Sequence, residues 1–373
     1  MKFNKLMKAG LVLLSTLSVA ACGNNSGADT TDSANQNNAD SSEINVQEEL
    51  AKEPSGEKVV LISNNGSDVR TPFIESKLKE KGFNVEFVPL GGGDVTARVI
   101  AEVQNPTTNV VWGPTQFNFD DMIEADALYE WTPSWADKVS DYDRQNGKSY
   151  PYETQPKLWM ANPDEFSEEE LPNTVNDLFE EDKFKGKYTI PSDFGGTTNR
   201  AIVASILGQY LDENGEIGVS QEGWDAMQKF MDNGVEVPEG EDKYKNMMDG
   251  KSPITYDGAS NIVTNTSEMD KKPTVIYFEN GQPSNVNEIG VVKNDDPEVL
   301  AESLRLADYL GSAEFIGDFA AEFGNLVVNA DAQDKLREES KEITENYKEQ
   351  DLDWDTINAH LDEWVAKIEL EMK

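Results

Sequence analysis

Residues 59–115 read VVLISNNGSDVRTPFIESKLKEKGFNVEFVPLGGGDVTARVIAEVQNPTTNVVWGPT. Residues 59–63 (VVLIS) form a short apolar run, the pattern of a strand buried on both faces of a parallel sheet. Asn64-Asn65-Gly66 breaks it, and residues 71–81 set Phe73, Ile74 and Leu78 among charges, which predicts a helix. Residues 84–89 (NVEFVP) read as a second strand, Gly91-Gly92-Gly93 with Asp94 as a turn, 95–104 as a helix and 109–112 (NVVW) as a third strand. Three strands and two crossover helices within about 55 residues predict an open α/β sheet. Such sheets bind ligands beyond the carboxyl ends of their strands. Here those ends are residues 63–66, 90–94 and 112–115.

The same style continues downstream. Residues 188–191 (YTIP) read as a strand, 192–198 (SDFGGTT) as a glycine-rich turn and 199–211 as an apolar helix. Residues 253–256 (PITY) give another strand, after which Asp257-Gly258-Ala259-Ser260 opens a helix. Residues 274–278 (TVIYF) and 288–292 (EIGVV) are further strands, and helices are expected at 297–311, 313–322, 331–348 and 353–372. No repeat of fixed spacing is present.

The amino-terminal side has a different character. Lys2, Lys5 and Lys8 precede a mostly apolar run at 9–21, a charged segment and an apolar segment of signal-peptide length. The run is shorter than the roughly 20 residues a spanning helix needs. Cys22, the only cysteine, follows Ser18-Val19-Ala20-Ala21, which resembles a bacterial lipobox and makes Cys22 the expected lipidation site, with an ordinary secretory cleavage site as the alternative. Residues 23–56 are rich in Asn, Ser, Asp and Gly and lack aromatics, so 22–56 is expected to be an acylated cysteine and disordered tether.

The chain has 373 residues, which suits two domains, with 71 acidic and 32 basic side chains and a net charge of -39. Loss of residues 1–21 removes three lysines and no acid, taking the charge from -39 to -42. This argues against nucleic acid, whose binding needs a basic patch. One Cys excludes a disulfide within the chain, and one His, His360, excludes His-rich metal sites. His360 sits in an amphipathic helix with Leu361 and Trp364, where a packing role is expected. There is no G-x-S-x-G, no phosphate-loop lysine and no D-x-D-x-D-G, so no catalytic residue, cofactor or metal is expected.

Several of these segments together resemble one family. GGGDVTARVIAEVQNPTTNVVWGPT (91–115), with Arg98, Glu102, Asn105 and Pro106, is similar to a segment of the family-1 extracellular solute-binding proteins of ABC importers. LPNTVNDLFEEDKFKGKYTIPSDFGGTT (171–198), EIGVVKNDDPEVLAESLRLADYLGSAE (288–314) and FGNLVVNADA (323–332) match later parts of it, in order, across 57–340. The subgroup most resembled includes the iron(III), thiamine and aminoethylphosphonate binders. The resemblance implies an α/β, two-lobed periplasmic-binding-protein-like (type II) fold with a cleft between lobes. Lobe 1 would comprise 57–157 plus 283–373 and lobe 2 would comprise 163–277, with hinge crossovers at 158–162 and 278–282. It also implies a monomer that partners an ABC permease and its ATPase subunit.

Candidate ligand contacts follow from strand ends and helix starts. Gly195, Gly196, Thr197 and Thr198 open a helix whose amides and dipole suit an oxyanion, or form a plain capping turn. Asp257 and Ser260 have the same setting, and Asp257 opposes an anion unless paired. Asn64, Asn65, Gly66, Gly92, Gly93 and Gly113 lie at the expected cleft rim, with a generic turn as the alternative. Trp112, Tyr152, Trp159 and Tyr256 offer an aromatic wall or core packing. Arg200 would meet an anion or form a surface ion pair. The iron binders resembled use adjacent tyrosines; no Tyr-Tyr pair occurs here, and the family's first-hinge Tyr-Asn reads Ala161-Asn162, which counts against iron.

The expected protein is a receptor, lipid-anchored on the extracytoplasmic face of a bacterial cell membrane. It captures a small polar solute bearing an oxyanion (a phosphonate, phosphate ester or carboxylate) and delivers it to the permease. A cationic or metal ligand such as thiamine, a polyamine or ferric iron is the alternative solute. A surface adhesin using this fold is the alternative role.

Overall fold

A computed structural model of the chain describes residues 44–139, 147–238 and 240–372. The expected leader, the lipidation site Cys22 and the tether up to residue 43 lie outside the described residues. In chain order the first elements are α1 (Val46–Leu50), β1 (Lys58–Ser63), α2 (Arg70–Lys81), β2 (Asn84–Pro89), α3 (Gly92–Ala101), β3 (Val110–Thr115), α4 (Gln116–Glu124) and β4 (Ser149–Ala161). Next come α5 (Asp177–Glu180), β5 (Thr189–Ile190), α6 (Thr197–Leu207), β6 (Leu211–Glu216), α7 (Gln221–Asn233), β7 (Val235–Glu236), α8 (Lys243–Met248), β8 (Ile254–Gly258), α9 (Ala259–Thr266) and β9 (Thr274–Ile276). The chain ends with β10 (Ser284–Val291), α10 (Pro297–Gly311), α11 (Ala313–Phe323), β11 (Leu326–Val327), α12 (Glu338–Asn346) and α13 (Trp354–Glu371). No helix among the described residues is long and apolar enough to cross a membrane.

One sheet has the order β11-β4-β10-β3-β1-β2, and β8 and β9 join it through β4. The expected β-α-β-α-β start is present, with β1 parallel to both β2 and β3. Strand β4 organises the rest. Its first part pairs antiparallel with β10 as far as Pro156, and from Lys157 onward it pairs with β8 and β9. The change of partner thus falls at 156/157, just ahead of the expected hinge at 158–162.

Two large apolar cores form on the two parts of β4. The first gathers Val59, Leu61, Trp112, Tyr152, Ile289 and the inner faces of α10 and α11. The second gathers Trp159, Phe184, Tyr188, Phe230 and Tyr256. Helix α13, which the sequence reading placed with 283–373 on lobe 1, packs instead on the second core through Ile357, Leu361, Trp364 and Ile368. Its four apolar side chains recur at helical spacing and find their cover there.

Residues 44–56 depart from the tether expectation. Ile44, Val46 and Leu50 pack on the first core. Glu302 of α10, fully buried, accepts from the Ser55 N–H (2.9 Å), the Ser55 hydroxyl (3.0 Å) and the Gly56 N–H (3.2 Å). Arg305 pairs with Glu302 (2.7 Å) and with Glu49 (2.6 Å). A buried carboxylate persists only with such partners. Polar composition concealed this docking, because the polar groups are the fasteners.

Candidate functional site

Around the carboxyl ends of β1 and β3 the residues interlock. Asn65 is buried, and its Nδ2 donates to the Tyr152 hydroxyl at 2.8 Å. Gly113 has φ +117, and a Cβ there would lie 2.1 Å from Asn64 Oδ1 and 2.7 Å from Asn65 Nδ2, so only glycine fits. A Cβ on Gly92 would sit 3.6 Å from Asn64 Nδ2 and 3.5 Å from Asn118 Oδ1, so the start of α3 borders the same place. Gly66 lets β1 and β2 close up, since a Cβ there would meet Pro89 at 2.3 Å. Gly93 faces open space.

Trp112 does not belong to this edge. It is fully buried and packs edge-on against Phe315 and Phe319, with ring centroids 5.6 and 5.2 Å away. Strand β3 runs between β1 and β10 and is covered on both faces, so a residue at its end points into the core and not into a cleft. Tyr152 lies against Trp112 (5.4 Å) and is buried too, but its hydroxyl reaches the edge through Asn65.

Strand β4 carries buried charge from this edge to the second one. Glu153 is fully buried and accepts from Asn325 Nδ2 (2.5 Å), Gln155 Nε2 (2.6 Å) and Asn287 Nδ2 (3.3 Å). Burial pushes its carboxyl up, and Arg70 with the three amides pulls it back only in part. The half-buried Arg70 guanidinium lies 5.5 and 5.3 Å from the ring centroids of Phe319 and Phe323. Among the described residues no carboxylate pairs with it. Two residues past Gln155, Lys157 is 3 % exposed and donates to the Gln155 carbonyl at 2.9 Å. Burial pushes its ammonium down from 10.5 to about 8, against the pull of Glu153 and Asp257.

The second edge is charged and includes two helix starts. Gly258 faces Lys157 across the β4–β8 ladder and is the N-cap of α9, with no side chain capping the helix. A Cβ on Gly258 would lie 3.9 Å from Lys157 Nζ, which places that ammonium beside the helix start. Asp257 is held by Lys243 Nζ (2.8 Å), the Tyr244 hydroxyl (3.1 Å), the Gly258 N–H (2.7 Å) and Asn261 Nδ2 (3.0 Å). The carboxylate is therefore paired, the condition under which it does not repel an anion. Ser260 is buried in the first turn of α9.

Helix α6 also starts without a side-chain cap, at Gly196. Gly195, Gly196 and Thr197 are exposed and Thr198 is half-buried. Asn199 links this turn to Tyr256: its Nδ2 donates to the Asp193 carbonyl (2.8 Å) and its Oδ1 accepts from the Tyr256 hydroxyl (2.8 Å). Burial and Asp257 push that hydroxyl far above the usual phenol range. Tyr256 and Trp159 pack together at 4.8 Å inside the second core. Arg200 is taken up by Asp362 of α13, the ion-pair alternative.

Of the residues expected from the sequence, the structure brings Asn64, Asn65, Gly92, Gly113 and Tyr152 together on one edge. Gly195 to Thr198 meet Tyr256 through Asn199 on the other, where Asp257 and Ser260 also sit. Arg70, Glu153, Lys157 and Asn325 were missed. Lys157 alone gave a signal, a lysine directly before the buried run Leu158 to Ala161. Among the described residues no group of three or more His, Cys, Asp or Glu is placed to hold a metal.

The model of a family described as bacterial extracellular solute-binding protein matches residues 74–349. A protein of Sinorhizobium fredii, named a probable ABC transporter periplasmic-binding protein, is 29% identical over 306 residues, 82% of this chain and 84% of that protein. Among solved structures, the apo ferric ion-binding protein A of Pasteurella haemolytica superposes with a TM-score of 0.67 at 15% identity, covering 84% of this chain and 96% of that one. The Trichodesmium protein IdiA or FutA, in complex with iron and citrate, superposes at 0.64 with 18% identity, covering 84% and 98%. At such identities the superpositions establish the fold.

Proposed function

This chain belongs to the bacterial extracellular solute-binding protein family and has its two-lobed type II fold, and from that premise we propose that it is a lipid-anchored receptor that takes a small oxyanion-bearing solute between its lobes. The substrate-binding role in ABC transport comes with the family, which is one of transport proteins and not of enzymes. The ligand, the anchor and the lobes as moving bodies are our reading. In it the two cores are the two lobes, and β4, residues 277–283 and residues 347–353 ahead of α13 link them. Closure buries the solute and presents a new surface to the permease. The protein acts as a monomer and performs no chemistry on its cargo.

The observation that carries the oxyanion reading is the meeting of Lys157 with the uncapped start of α9. An ammonium almost out of water and a helix N-terminus both favour negative charge at one spot. Asn65, Arg70, Gly92 and Gly113 would meet the solute from lobe 1. Gly195 to Thr198, Asp257 and Ser260 would meet it from lobe 2. The net charge of -39 opposes anion approach, but salt screens it beyond about 8 Å. Ferric ion is the second reading, because solved proteins with this fold are named for it. The buried Tyr256 hydroxyl, already bonded to Asn199, is a poor phenolate donor.

Thermal shifts of the purified protein with phosphonates, phosphate esters, carboxylates, ferric citrate, thiamine and polyamines test the ligand. An oxyanion solute raises the melting temperature by linkage. Stabilisation by cations alone overturns the reading. The anchor rests on Cys22 after its small residues. Cys22→Ala should release the protein from membranes, and retention would refute the lipid.

A further inference from the structure

A cavity of about 460 Å³ lies between the later residues of α9, β9 and α12, and none of the residues described at the two edges lines it. Its volume falls within the roughly 300–1,000 Å³ of small-molecule sites. Ile262 of α9, Val275 of β9 and Ile343 of α12 give it an apolar wall. The Tyr277 hydroxyl, on the same lining, is buried and has no hydrogen-bond partner. A buried hydroxyl without a partner costs about 1–3 kcal/mol, so the position favours a ligand that completes it.

The charge of the lining selects the ligand. Lys272 is paired with Glu339, which cancels both. Glu168 and Glu342 also line the cavity and form no ion pair among the described residues. Glu342 lies close enough to Tyr277 to help burial push its hydroxyl up to about 12. The cavity therefore combines an apolar wall, one unused hydroxyl and two unneutralised carboxylates. We propose that it is a second binding site, separate from the solute site, for a small amphipathic primary amine. The alkyl part lies on the wall, and the ammonium donates to Tyr277 Oη and to the Glu342 carboxylate.

Calorimetric titration of the purified protein with hexylamine, hexanol and hexanoate tests this. Saturable one-to-one binding of hexylamine is expected, with the alcohol and the acid about tenfold or more weaker. Tyr277→Phe keeps the ring and should weaken hexylamine about tenfold; Glu342→Gln keeps the shape and, its carboxylate being exposed, should weaken it about threefold, both with an unchanged circular dichroism spectrum. Lys157→Met, at the solute site, should leave it unaltered. Equal binding of hexanol and hexylamine, full affinity in both lining variants, or no binding at millimolar amine would overturn the proposal. A change of amine affinity in Lys157→Met, in particular the strengthening expected when a like charge is removed, would place the amine at the solute site and overturn it as well. Apart from that last outcome, none of these results bears on whether an oxyanion binds between the lobes.

Discussion

The edge on the first core interlocks neutral side chains, with the Arg70 guanidinium near Tyr152, and that on the second is built of paired charges. Asn65 and Tyr152 satisfy one another, and Gly113 is locked between Asn64 and Asn65 by a backbone that admits no side chain. Across β4, Lys157 and Asp257 are buried beside an uncapped helix, and the half-buried Lys243 pairs with Asp257. The first edge is thus set by packing. The second is set by electrostatics, and its balance changes with the charge brought to it. Packing of neutral groups fixes the first edge, and pairing of charges fixes the second.

The largest effect expected is Trp112→Ala. Removing a fully buried indole should cost about 3–5 kcal/mol in urea unfolding. A variant that lost solute affinity at unchanged stability would return Trp112 to the cleft. Gly113→Ala comes next, at roughly 2–3 kcal/mol, because φ +117 and a 2.1 Å contact both penalise the methyl group. Unaltered stability there would mean that the first edge is soft.

Lys157→Met probes the charged edge. The folded ammonium titrates near 8 and the unfolded one near 10.5, so between these pH values the unfolded chain binds more protons. Wild-type stability then rises with pH across that window, and the native cost of Lys157 is fully present below it. The variant should be about 2 kcal/mol more stable at pH 7, with the gap closing toward pH 10. Wild-type oxyanion affinity should fall as pH rises through 8, and the variant should bind about tenfold or more weakly at pH 7. A pH-independent gap would show that Lys157 is solvated. The smallest effect is Gly93→Ala, which faces open space within α3. It should add about 0.5 kcal/mol and leave solute binding alone.

The sequence made the periodic elements legible. Strands β1 and β2 and helices α2 and α10 lie within a residue of their expected limits, because each buries one apolar pattern under local punctuation such as the Asp296 cap. Strand β4 was illegible. SYPYETQPKLWMA holds two prolines, a glutamate and a lysine, and these are buried only because β10, β8, the neighbouring Gln155 and two distant amides, Asn287 and Asn325, receive them. Helix α4 was overlooked although Thr115 and Asn118 form a capping box. Arg70 carries no local mark; what singles it out is the pair of rings contributed by α11, some 250 positions away. The site was readable where backbone geometry demanded glycine or a helix start, and hidden where distant side chains share a charge.

The fastening of residues 44–56 onto α10 has a mechanical meaning. A load arriving from the amino-terminal side enters the body at Glu49 and Ser55 and is spread by Arg305 and Glu302 along a fifteen-residue helix of the first core. The force path reaches firm ground before it meets β4. A pull applied at Ile44 would therefore strain α10 and the first core before it reached β4.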